Sequence, residues 1–332
     1  MRIVRVQNIM ATARAGALLA LVSHVAHADE GGVPFWTSGQ FASLAAVPTD
    51  AGWSLAVLPY YYNGSAKGSF SKANALVSGE LSSRLSQLSV QPGYTAEGKV
   101  LGGQPYIGVS FGVARNNTDV SASTSFANLN KQTSQSQGQT GGSDLYPYAS
   151  LSWNSGVHNW MVYTQGGVPV GAYNSQRLAN IGIGHAAIDA GGGYTYFNDK
   201  TGLEFSGVLG FTYNWENPDT HYRNGNDLHF DWAVSQFLSK RWQVGVVGYA
   251  YNQLSADHYP TDGAAGALRS RALGDFKSRV YAAGPELGYM FEVDGQPASL
   301  NLRGYNEWGA QNRTEGYALF ATVAIPLGSA KK

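Results

Sequence analysis

A serine motif is the first feature of the sequence whose residue types could carry out chemistry. Gly108-Val109-Ser110-Phe111-Gly112 matches the G-x-S-x-G pattern that surrounds the nucleophile of many hydrolases. That pattern functions on a sharp strand-to-helix turn, which exposes the serine hydroxyl. In this chain it stands inside an alternating segment that continues into Val113-Ala114-Arg115, which is typical of a strand. We therefore expect no catalysis at Ser110.

Histidines offer a second possible chemistry. Beyond residue 28 they occupy the positions His158, His185, His221, His229 and His258. None belongs to an H-E-x-x-H metalloprotease pattern, and their order in the chain defines no Ser–His pair. We therefore predict that the protein is not an enzyme, with a lipid hydrolase as the alternative.

Carboxylates and imidazoles lie close together in one stretch, at Asp219, His221, Asp227, His229 and Asp231. Such oxygen and nitrogen ligands can hold a divalent cation. Their spacing matches no defined metal-binding loop, so we interpret them as a solvated loop and the strand that follows it. We expect neither a metal nor another cofactor.

The overall composition narrows the class of protein. The chain has 332 residues, with 42 Gly, 20 Tyr and no Cys, which excludes a disulfide framework and a thiolate metal site. Charged residues make up 13% of the chain, well below the ~25% of an ordinary soluble domain. The 22 basic residues balance the 22 acidic ones, so no excess of positive charge points to a nucleic acid partner.

The first 28 residues have the pattern of a secretory signal peptide. Arg2, Arg5 and Arg14 form a positive region, Ala15–Val25 is a short apolar run, and Ala26-His27-Ala28 provides a cleavage site of small residues. We expect cleavage after Ala28. Downstream, no run reaches the ~18 consecutive apolar residues that a membrane-spanning helix requires.

Alternation of side chains predicts the fold. In the segment 203–216, Leu203, Phe205, Leu209 and Phe211 share one face, and the polar Glu204 belongs to the other. This period of two indicates a strand. Similar segments of about 10–15 residues recur through the chain, long enough to cross a membrane when tilted. We predict twelve of them, at 52–62, 84–97, 105–115, 144–154, 157–168, 186–198, 201–215, 227–238, 241–253, 278–293, 298–309 and 314–326.

The connections between these segments alternate in length. Short turns rich in Asn, Asp and Gly follow the even segments, as at Asn154-Ser155-Gly156 and Asp294-Gly295. Longer connections follow most of the odd segments, at 63–83, 116–143, 169–185, 216–226 and 254–277. This arrangement predicts an all-β, transmembrane, antiparallel up-and-down β-barrel of about 12 strands, with short periplasmic turns and long extracellular loops. The Ser- and Gln-rich stretch Asn116–Ser143 is interpreted as a mobile loop.

The barrel is predicted to cover residues 51–328, and residues 29–50 form a segment before its first strand. This segment contains Phe35, Trp36 and Phe41, which a free periplasmic tail would not need. We expect it either to fold into the lumen as a small plug or to form a disordered leader. As a plug, it would offer its three aromatic side chains to an apolar solute.

Charged residues fall on predicted inward positions of the later strands, at Glu204, Asp231, Glu286, Arg303 and Glu307. Charges inside a barrel must be paired or hydrated. Two interpretations remain open. These residues form a structural network that fills a narrow barrel, or they line the path of a solute.

Three stretches resemble a known family of bacterial outer-membrane proteins. They are the segment from Gly31-Gly32-Val33-Pro34-Phe35-Trp36 to Pro48 with Gly52-Trp53-Ser54 after it, Val100-Leu101-Gly102-Gly103-Gln104, and the C-terminal run from Gly316 to Gly328. The family comprises transporters of the "MetA-pathway of phenol degradation" type, including SphA-like proteins. In contrast to the usual outer-membrane pattern, the chain does not end on an aromatic residue, but continues past Leu327 to Lys332.

The resemblance implies an outer-membrane channel or transporter for small hydrophobic, aromatic or lipid-like compounds, and it implies no catalytic residues. The expected partners are the solute, outer-membrane lipid with lipopolysaccharide, and the barrel-assembly machinery. The alternatives are an outer-membrane lipid hydrolase and a structural or adhesion barrel with a filled lumen.

Overall fold

The computed structural model describes residues 33–72, 75–126, 129–258 and 277–327. The predicted signal peptide, the first residues of the 29–50 segment and most of the predicted connection 254–277 lie outside this range. Within it, no helix is long and apolar enough to cross a membrane.

The described chain forms one antiparallel sheet that closes on itself. Its strands are β1 (Gly52–Lys72), β2 (Ala75–Thr95), β3 (Gln104–Phe126), β4 (Leu129–Gly142), β5 (Tyr146–Ser155), β6 (His158–Gly167), β7 (Ala187–Asn198), β8 (Leu203–Asn214), β9 (Asp227–Phe237), β10 (Trp242–Gln253), β11 (Arg279–Val293), β12 (Gln296–Gln311) and β13 (Glu315–Leu327). Each strand pairs with the next in the chain from β5 onward, and the pairings of β1 with β13 and of β2 with β3 complete the ring.

Strands β4 and β5 occupy one position in the barrel. Strand β3 pairs with β5 over Gln104–Ser110 and with β4 over Val113–Phe126. The thirteen strands therefore form a barrel of twelve positions, as the sequence predicts. Closure leaves no free sheet edge in the bilayer, where unpaired backbone groups would have no hydrogen-bond partner.

The prediction of long loops is wrong for two of the connections. Residues 63–83 and 116–143 lie mostly in strands, because β1 and β2 continue as a long hairpin and β3 and β4 form another. These extensions consist mainly of Ser, Thr, Gln and Gly, so they lack the apolar alternation that marks a strand in a membrane. Cross-strand backbone hydrogen bonds stabilise them, together with a small buried cluster of Leu81, Val120 and Leu178. The predicted connections at 169–185 and 216–226 do lie outside the strands, as expected.

Burial along the strands is reversed relative to a soluble protein. In β8, Leu209 is 51% exposed on the outside, whereas Glu204 on the opposite parity is fully buried in the interior. The same alternation runs through β6 and β9. Apolar side chains therefore cover the surface that meets lipid, and polar side chains occupy the lumen.

The short turns have the geometry that their residues predict. Asp294 and Gly295, between β11 and β12, have φ angles of 51° and 75°. Two successive positive φ angles match the twist of antiparallel strands at a two-residue hairpin. Such turns fix the register of the neighbouring strands, and so decide which side chains face inward.

The connection between β6 and β7 folds over the lumen. Ile181 and Ile183 are fully buried there. The carboxylate of Asp144 holds this connection in place, accepting hydrogen bonds from the backbone N–H groups of Gly171 at 2.7 Å and Ile183 at 3.0 Å. Burial raises the pKa of the Asp144 carboxyl, and these hydrogen bonds act in the opposite direction. The end of the barrel opposite the short turns is thus narrowed by its own chain.

The reversed burial predicts how the barrel responds to a charge on its outside. Replacing Leu209, near the middle of β8, with Arg should lower the free energy of unfolding by about 2–4 kcal/mol, because the charge would lie at the bilayer midplane. Urea titration of the barrel in lipid vesicles measures this change. Leu101→Arg is the matched control, since Leu101 is 87% exposed in the connection between β2 and β3. Its effect should stay within about 0.5 kcal/mol. Equal effects of the two substitutions would contradict the assignment of the lipid-facing surface.

Candidate solute path in the barrel lumen

Residues 33–50, called the lumen segment below, lie inside the barrel. At one end, the backbone N–H of Val33 donates to the carbonyl of Ile181 at 3.2 Å, in the connection that folds over the lumen. At the other end, the hydroxyl groups of Thr49 and Thr95 lie 2.7 Å apart, beside the start of β1. The lumen segment therefore runs along the axis of the barrel. It contains no strand and no helix among its described residues, so its backbone groups bond either within short turns, as Gln40 N–H does to the Thr37 carbonyl, or to the wall.

Asp231 of β9 binds two backbone N–H groups of this segment. Its Oδ1 accepts from Gly39 at 3.0 Å and its Oδ2 accepts from Phe41 at 3.1 Å. Asp231 is 1% exposed. A buried carboxylate requires such donors, since it has lost its water.

Two further carboxylates bind the next residues of the segment. Glu286 of β11 accepts from the hydroxyl group of Ser43 at 2.5 Å and from its backbone N–H at 3.3 Å. Glu204 of β8 accepts from the backbone N–H of Leu44 at 3.0 Å. Both carboxylates also accept from wall side chains, namely Asn301, Ser206 and Ser235.

Arg303 of β12 binds the carbonyl groups of the same stretch. Its Nη1 donates to the carbonyl of Gly39 at 3.2 Å and to that of Gln40 at 3.1 Å. Its Nη2 donates to Thr322 at 3.0 Å, and the guanidinium lies 4.9 Å from the centre of the Phe320 ring. Anionic and cationic wall residues thus bind complementary backbone groups of the lumen segment.

Gly39 allows this close approach. Its φ is 83°, and a Cβ atom placed there would lie 2.8 Å from Cζ of Tyr305 and 3.0 Å from Cδ1 of Tyr249. The hydroxyl group of Tyr305 also donates to the Gly39 carbonyl at 3.1 Å. A side chain at this position would therefore separate the segment from the wall.

The aromatic side chains of the segment pack on aromatic residues of the wall. The Trp36 ring stacks on the His229 imidazole with centroids 3.5 Å apart. The ring centroids of Phe41 and Tyr163 lie 5.2 Å apart. Those of Phe35 and Tyr146 lie 6.0 Å apart. The Phe35 ring fits there because the wall residue Gly167 has no side chain.

A buried hydrogen-bond network lies beneath Trp36, and the sequence interpretation missed it. Asp189 of β7 is fully buried. It accepts from the Tyr163 hydroxyl at 2.7 Å, from the Thr212 hydroxyl at 2.6 Å, and bonds Nε2 of His229 at 2.8 Å. The parity of β7 could have identified Asp189 as inward, because the neighbouring Ile188 belongs to the apolar outer face.

Glu307 of β12 belongs to a separate network. It accepts from the hydroxyl groups of Tyr62 at 2.9 Å and Tyr249 at 2.8 Å, and from the backbone N–H of Gly316 at 2.9 Å. The structure therefore brings Glu204, Asp231, Glu286 and Arg303 together around the lumen segment, and places Glu307 on the wall beside it.

The fold separates the five Asp and His residues that the sequence offered as possible cation ligands. His229, Asp231 and Asp227 lie in β9, within the strand predicted at 227–238, and their side chains are buried in the lumen instead of solvated. Asp219 and His221 lie in the connection before it, where His221 pairs with Glu216. Within the described ranges, no group of three or more His, Asp or Glu side chains is arranged to hold a metal ion.

The serine motif lies inside β3. Ser110 pairs with Tyr146 of β5 in the antiparallel ladder, so the motif stands on a regular strand. A strand-to-helix turn, on which the nucleophile pattern depends, is absent from this described strand.

A closed twelve-stranded barrel with an apolar exterior and a polar lumen defines an outer-membrane β-barrel protein. The chain belongs to the family of the MetA-pathway of phenol degradation, whose family model matches residues 49–323.

A solved structure shows the same fold. The crystal structure of the COG4313 outer membrane channel from Pseudomonas putida F1 has a TM-score of 0.57 and 12% sequence identity, covering 83% of this chain and 96% of that chain. A FadL homologue from Pseudomonas aeruginosa has a TM-score of 0.39 and 9% identity, covering 83% and 89%. No curated protein sequence matches the chain significantly. At 12% identity, the similarity to the Pseudomonas putida channel concerns the fold alone.

The hydrogen bonds of Asp231 predict how firmly the lumen segment is held. In Asp231→Asn, one side-chain oxygen becomes an NH2 group that cannot accept from a backbone N–H. Because a hydrogen bond to a charged group contributes ~1.5–3 kcal/mol, amide exchange at residues 39–44 should accelerate about ten- to hundredfold. Hydrogen-exchange mass spectrometry measures this. Glu307→Gln removes a buried charge elsewhere on the wall and should leave these rates unchanged within about twofold. Unchanged exchange in Asp231→Asn would show that other contacts hold the segment.

Proposed function

We propose that this protein lets small hydrophobic or aromatic compounds pass the outer membrane through its lumen, with residues 33–50 as a plug. The observation that carries the proposal is that the lumen contains a segment without regular structure, held by side chains of the wall. Aromatic side chains lie along that segment, and charged residues surround it. Membership of the phenol-degradation family supports an aromatic solute.

Passage requires the lumen segment to move, and its contacts make movement feasible. Its backbone bonds to Asp231, Glu204, Glu286 and Arg303, and water can replace a backbone group at each of these side chains. Water-mediated hydrogen bonds are nearly as favourable as direct ones. The solute would then pass along the aromatic side chains, where weak contacts favour transport over retention.

The same proposal includes the route to the membrane and the partners there. Export would use the predicted signal peptide, with cleavage after Ala28, and the barrel-assembly machinery would insert the chain. Outer-membrane lipid would contact the apolar outer face, and lipopolysaccharide would surround the long hairpins. The position of Ser110 on a regular strand supports a function without catalysis.

Removal of the lumen segment tests the proposal. A variant lacking residues 33–48 should conduct ions in planar bilayers and admit aromatic solutes into liposomes, whereas the intact barrel should conduct far less. A matched variant with a Gly/Ser sequence of equal length in place of 33–48 should also conduct, because it lacks the contacts that hold the segment. If neither variant conducts or admits solute, the structural barrel with a filled lumen is the better description. Phospholipid turnover by the intact barrel, sensitive to a serine reagent, would instead indicate the hydrolase.

The charges beneath the segment predict the selectivity of the opened lumen. In the deletion variant, three carboxylates, those of Glu204, Asp231 and Glu286, lose their backbone donors. Arg303, which bound the carbonyl groups of the same stretch, is the cation that faces them there. The excess of carboxylates should make the opened pore prefer cations. Reversal potentials in a KCl gradient measure the preference, which Glu204→Gln, Asp231→Asn and Glu286→Gln together should reduce or abolish. Glu80→Gln, an exposed position on the long hairpin, is the control and should change nothing.

A further inference from the structure

The hairpin of β3 and β4 carries part of the sheet beyond the membrane. Val113 is 58% exposed on the outer face of β3, and its partner in β4 is Gly142. Above this level the outer face of β3 is polar, with Arg115 at the next outward position and Asp119 farther along. Because apolar side chains mark the outer surface that meets lipid, β4 lies outside the bilayer.

Strand β4 is an edge of this projecting sheet. It pairs with β3 over Leu129–Gly142, and no other described strand pairs with it. Its register to β3 is continuous and has no bulge. Bulges, prolines and charged side chains are the features that protect an edge strand from other chains. Strand β4 contains no proline and a single charge, at Lys131, so its outer edge is open to another strand.

One hydrogen bond shows which backbone groups face this edge. The N–H of Ser143 donates to the carbonyl of Gly112 in β3 at 2.9 Å. Because successive residues of a strand bond to opposite sides, the odd-numbered residues of β4 bond to β3 and the even-numbered residues face the outer edge. At the lower end of that edge, the carbonyl of Gly142 accepts from the N–H of Ala172 at 2.9 Å. A backbone segment of the chain itself therefore already occupies the lowest position of the edge.

Above Gly142, part of the edge is uncovered. Its lower limit is Thr140, whose carbonyl accepts from the side chain of Gln139 at 3.0 Å. The exposed residues that face the edge beyond this point are Gln132, Ser134, Ser136 and Gly138. Within the described ranges, their backbone groups make no bond to a turn or loop. These four residues are called the free edge below.

A second copy in the same membrane cannot pair with the free edge. A twofold axis along the membrane normal would place each residue of β4 level with its own copy, in strands that run in the same direction. A parallel ladder instead requires a residue that faces the shared edge to lie level with one that faces away. A copy in a facing membrane runs in the opposite direction, so its β4 can form an antiparallel pair.

The residues of β4 are compatible with antiparallel pairing to themselves. The midpoint of the free edge is Gln135, and a twofold axis there places Gln132 opposite Gly138 of the second copy and Ser134 opposite Ser136 of the second copy. Because these residues all face the edge, the two copies would share about eight backbone hydrogen bonds. Like charges do not meet, since Lys131 would lie opposite an uncharged glutamine of the second copy.

We propose that the free edge of β4 binds the same edge of a second copy of this protein in a facing membrane, as an antiparallel strand pair. A single pair of short strands is a weak interface, smaller than the ~1,200 Å² of stable complexes. Many copies on two facing surfaces would bind together, because each contact raises the effective concentration of the next. The long hairpin would thus connect membranes, a role that does not depend on transport.

Cysteine cross-linking of the full-length protein in detergent tests the register, because the natural chain has no cysteine. In Gln135→Cys, the two Cα atoms at the axis would form a non-hydrogen-bonded pair about 4.5 Å apart, which a disulfide can span. In the matched control Ser134→Cys, the two Cα atoms would be diagonal neighbours about 7–8 Å apart, which is too far. Mild oxidation should give a covalent dimer at least about tenfold faster in Gln135→Cys. Equal rates, or no dimer in either variant, overturn the proposal.

A proline on the free edge tests the association without a cross-link. Ser134→Pro removes an N–H that faces the edge, a change that edge strands tolerate. The twofold axis repeats the loss, so the dimer would lack two hydrogen bonds and its dissociation constant should rise about tenfold or more. Ser134→Ala keeps the N–H and should change the constant less than about twofold. Analytical ultracentrifugation in detergent measures both. Equal constants for the two variants, or a monomeric natural protein at millimolar concentration, contradict the pairing.

Reconstituted vesicles test the contact between membranes. Vesicles of phosphatidylethanolamine and phosphatidylglycerol that contain the natural protein should aggregate, as light scattering measures, and those with Ser134→Pro should stay dispersed. Lipopolysaccharide with a short sugar core should leave the aggregation in place, because Gln135 lies about 23 Å along the strand above Gly142. Aggregation that Ser134→Pro leaves unchanged, dimers in detergent with dispersed vesicles, or loss of aggregation with this lipopolysaccharide would each overturn the contact between membranes. None of these outcomes bears on uptake of solute through the lumen, which the deletion of residues 33–48 tests separately.

Discussion

Every feature of this barrel depends on the closure of its hydrogen-bond ladder. Lipid offers no donors or acceptors, so each backbone group in the membrane must find its partner in a neighbouring strand. The pairings of β1 with β13 and of β2 with β3 complete that ring. Closure divides the side chains of each strand between lipid and lumen. This explains why Leu209 is exposed while Glu204, an odd number of residues earlier in the same strand, is buried.

The enclosed lumen creates a second constraint, because its wall carries charged groups that have to be solvated. Burial of an unpaired carboxylate is strongly unfavourable. The lumen segment supplies the missing partners with its backbone, so that Asp231, Glu286 and Glu204 receive N–H donors and Arg303 receives carbonyl groups. The chain thus performs at these positions the role that water has in an open porin. Because water can take that role again, a filled lumen and a path for solutes are compatible in one structure.

Close packing in the lumen depends on positions without a side chain. Gly39 lets the segment approach Tyr305, and Gly210 gives space to the rings of His229 and Tyr163. This accounts for part of the high glycine content, since strands that face a filled lumen alternate between bulky rings and glycine. The same arrangement makes the interior specific, because a methyl group at either position would collide with an aromatic ring.

The amino-acid sequence by itself determined the barrel and its inward faces. A period of two is a local property, so the parity of Glu204, Asp231, Glu286 and Arg303 could be assigned without knowledge of their neighbours. The assignment of strands from this period failed at residues 63–83 and 116–143, where most side chains are polar and strand pairing rests mainly on the backbone. The partners of the inward side chains were decided by the tertiary structure alone. Asp189 and His229 meet across β7, β8 and β9, and Trp36 reaches them from the chain before β1. Such contacts depend on register and on the course of the lumen segment, which are set by closure of the whole sheet and leave no trace in local periodicity.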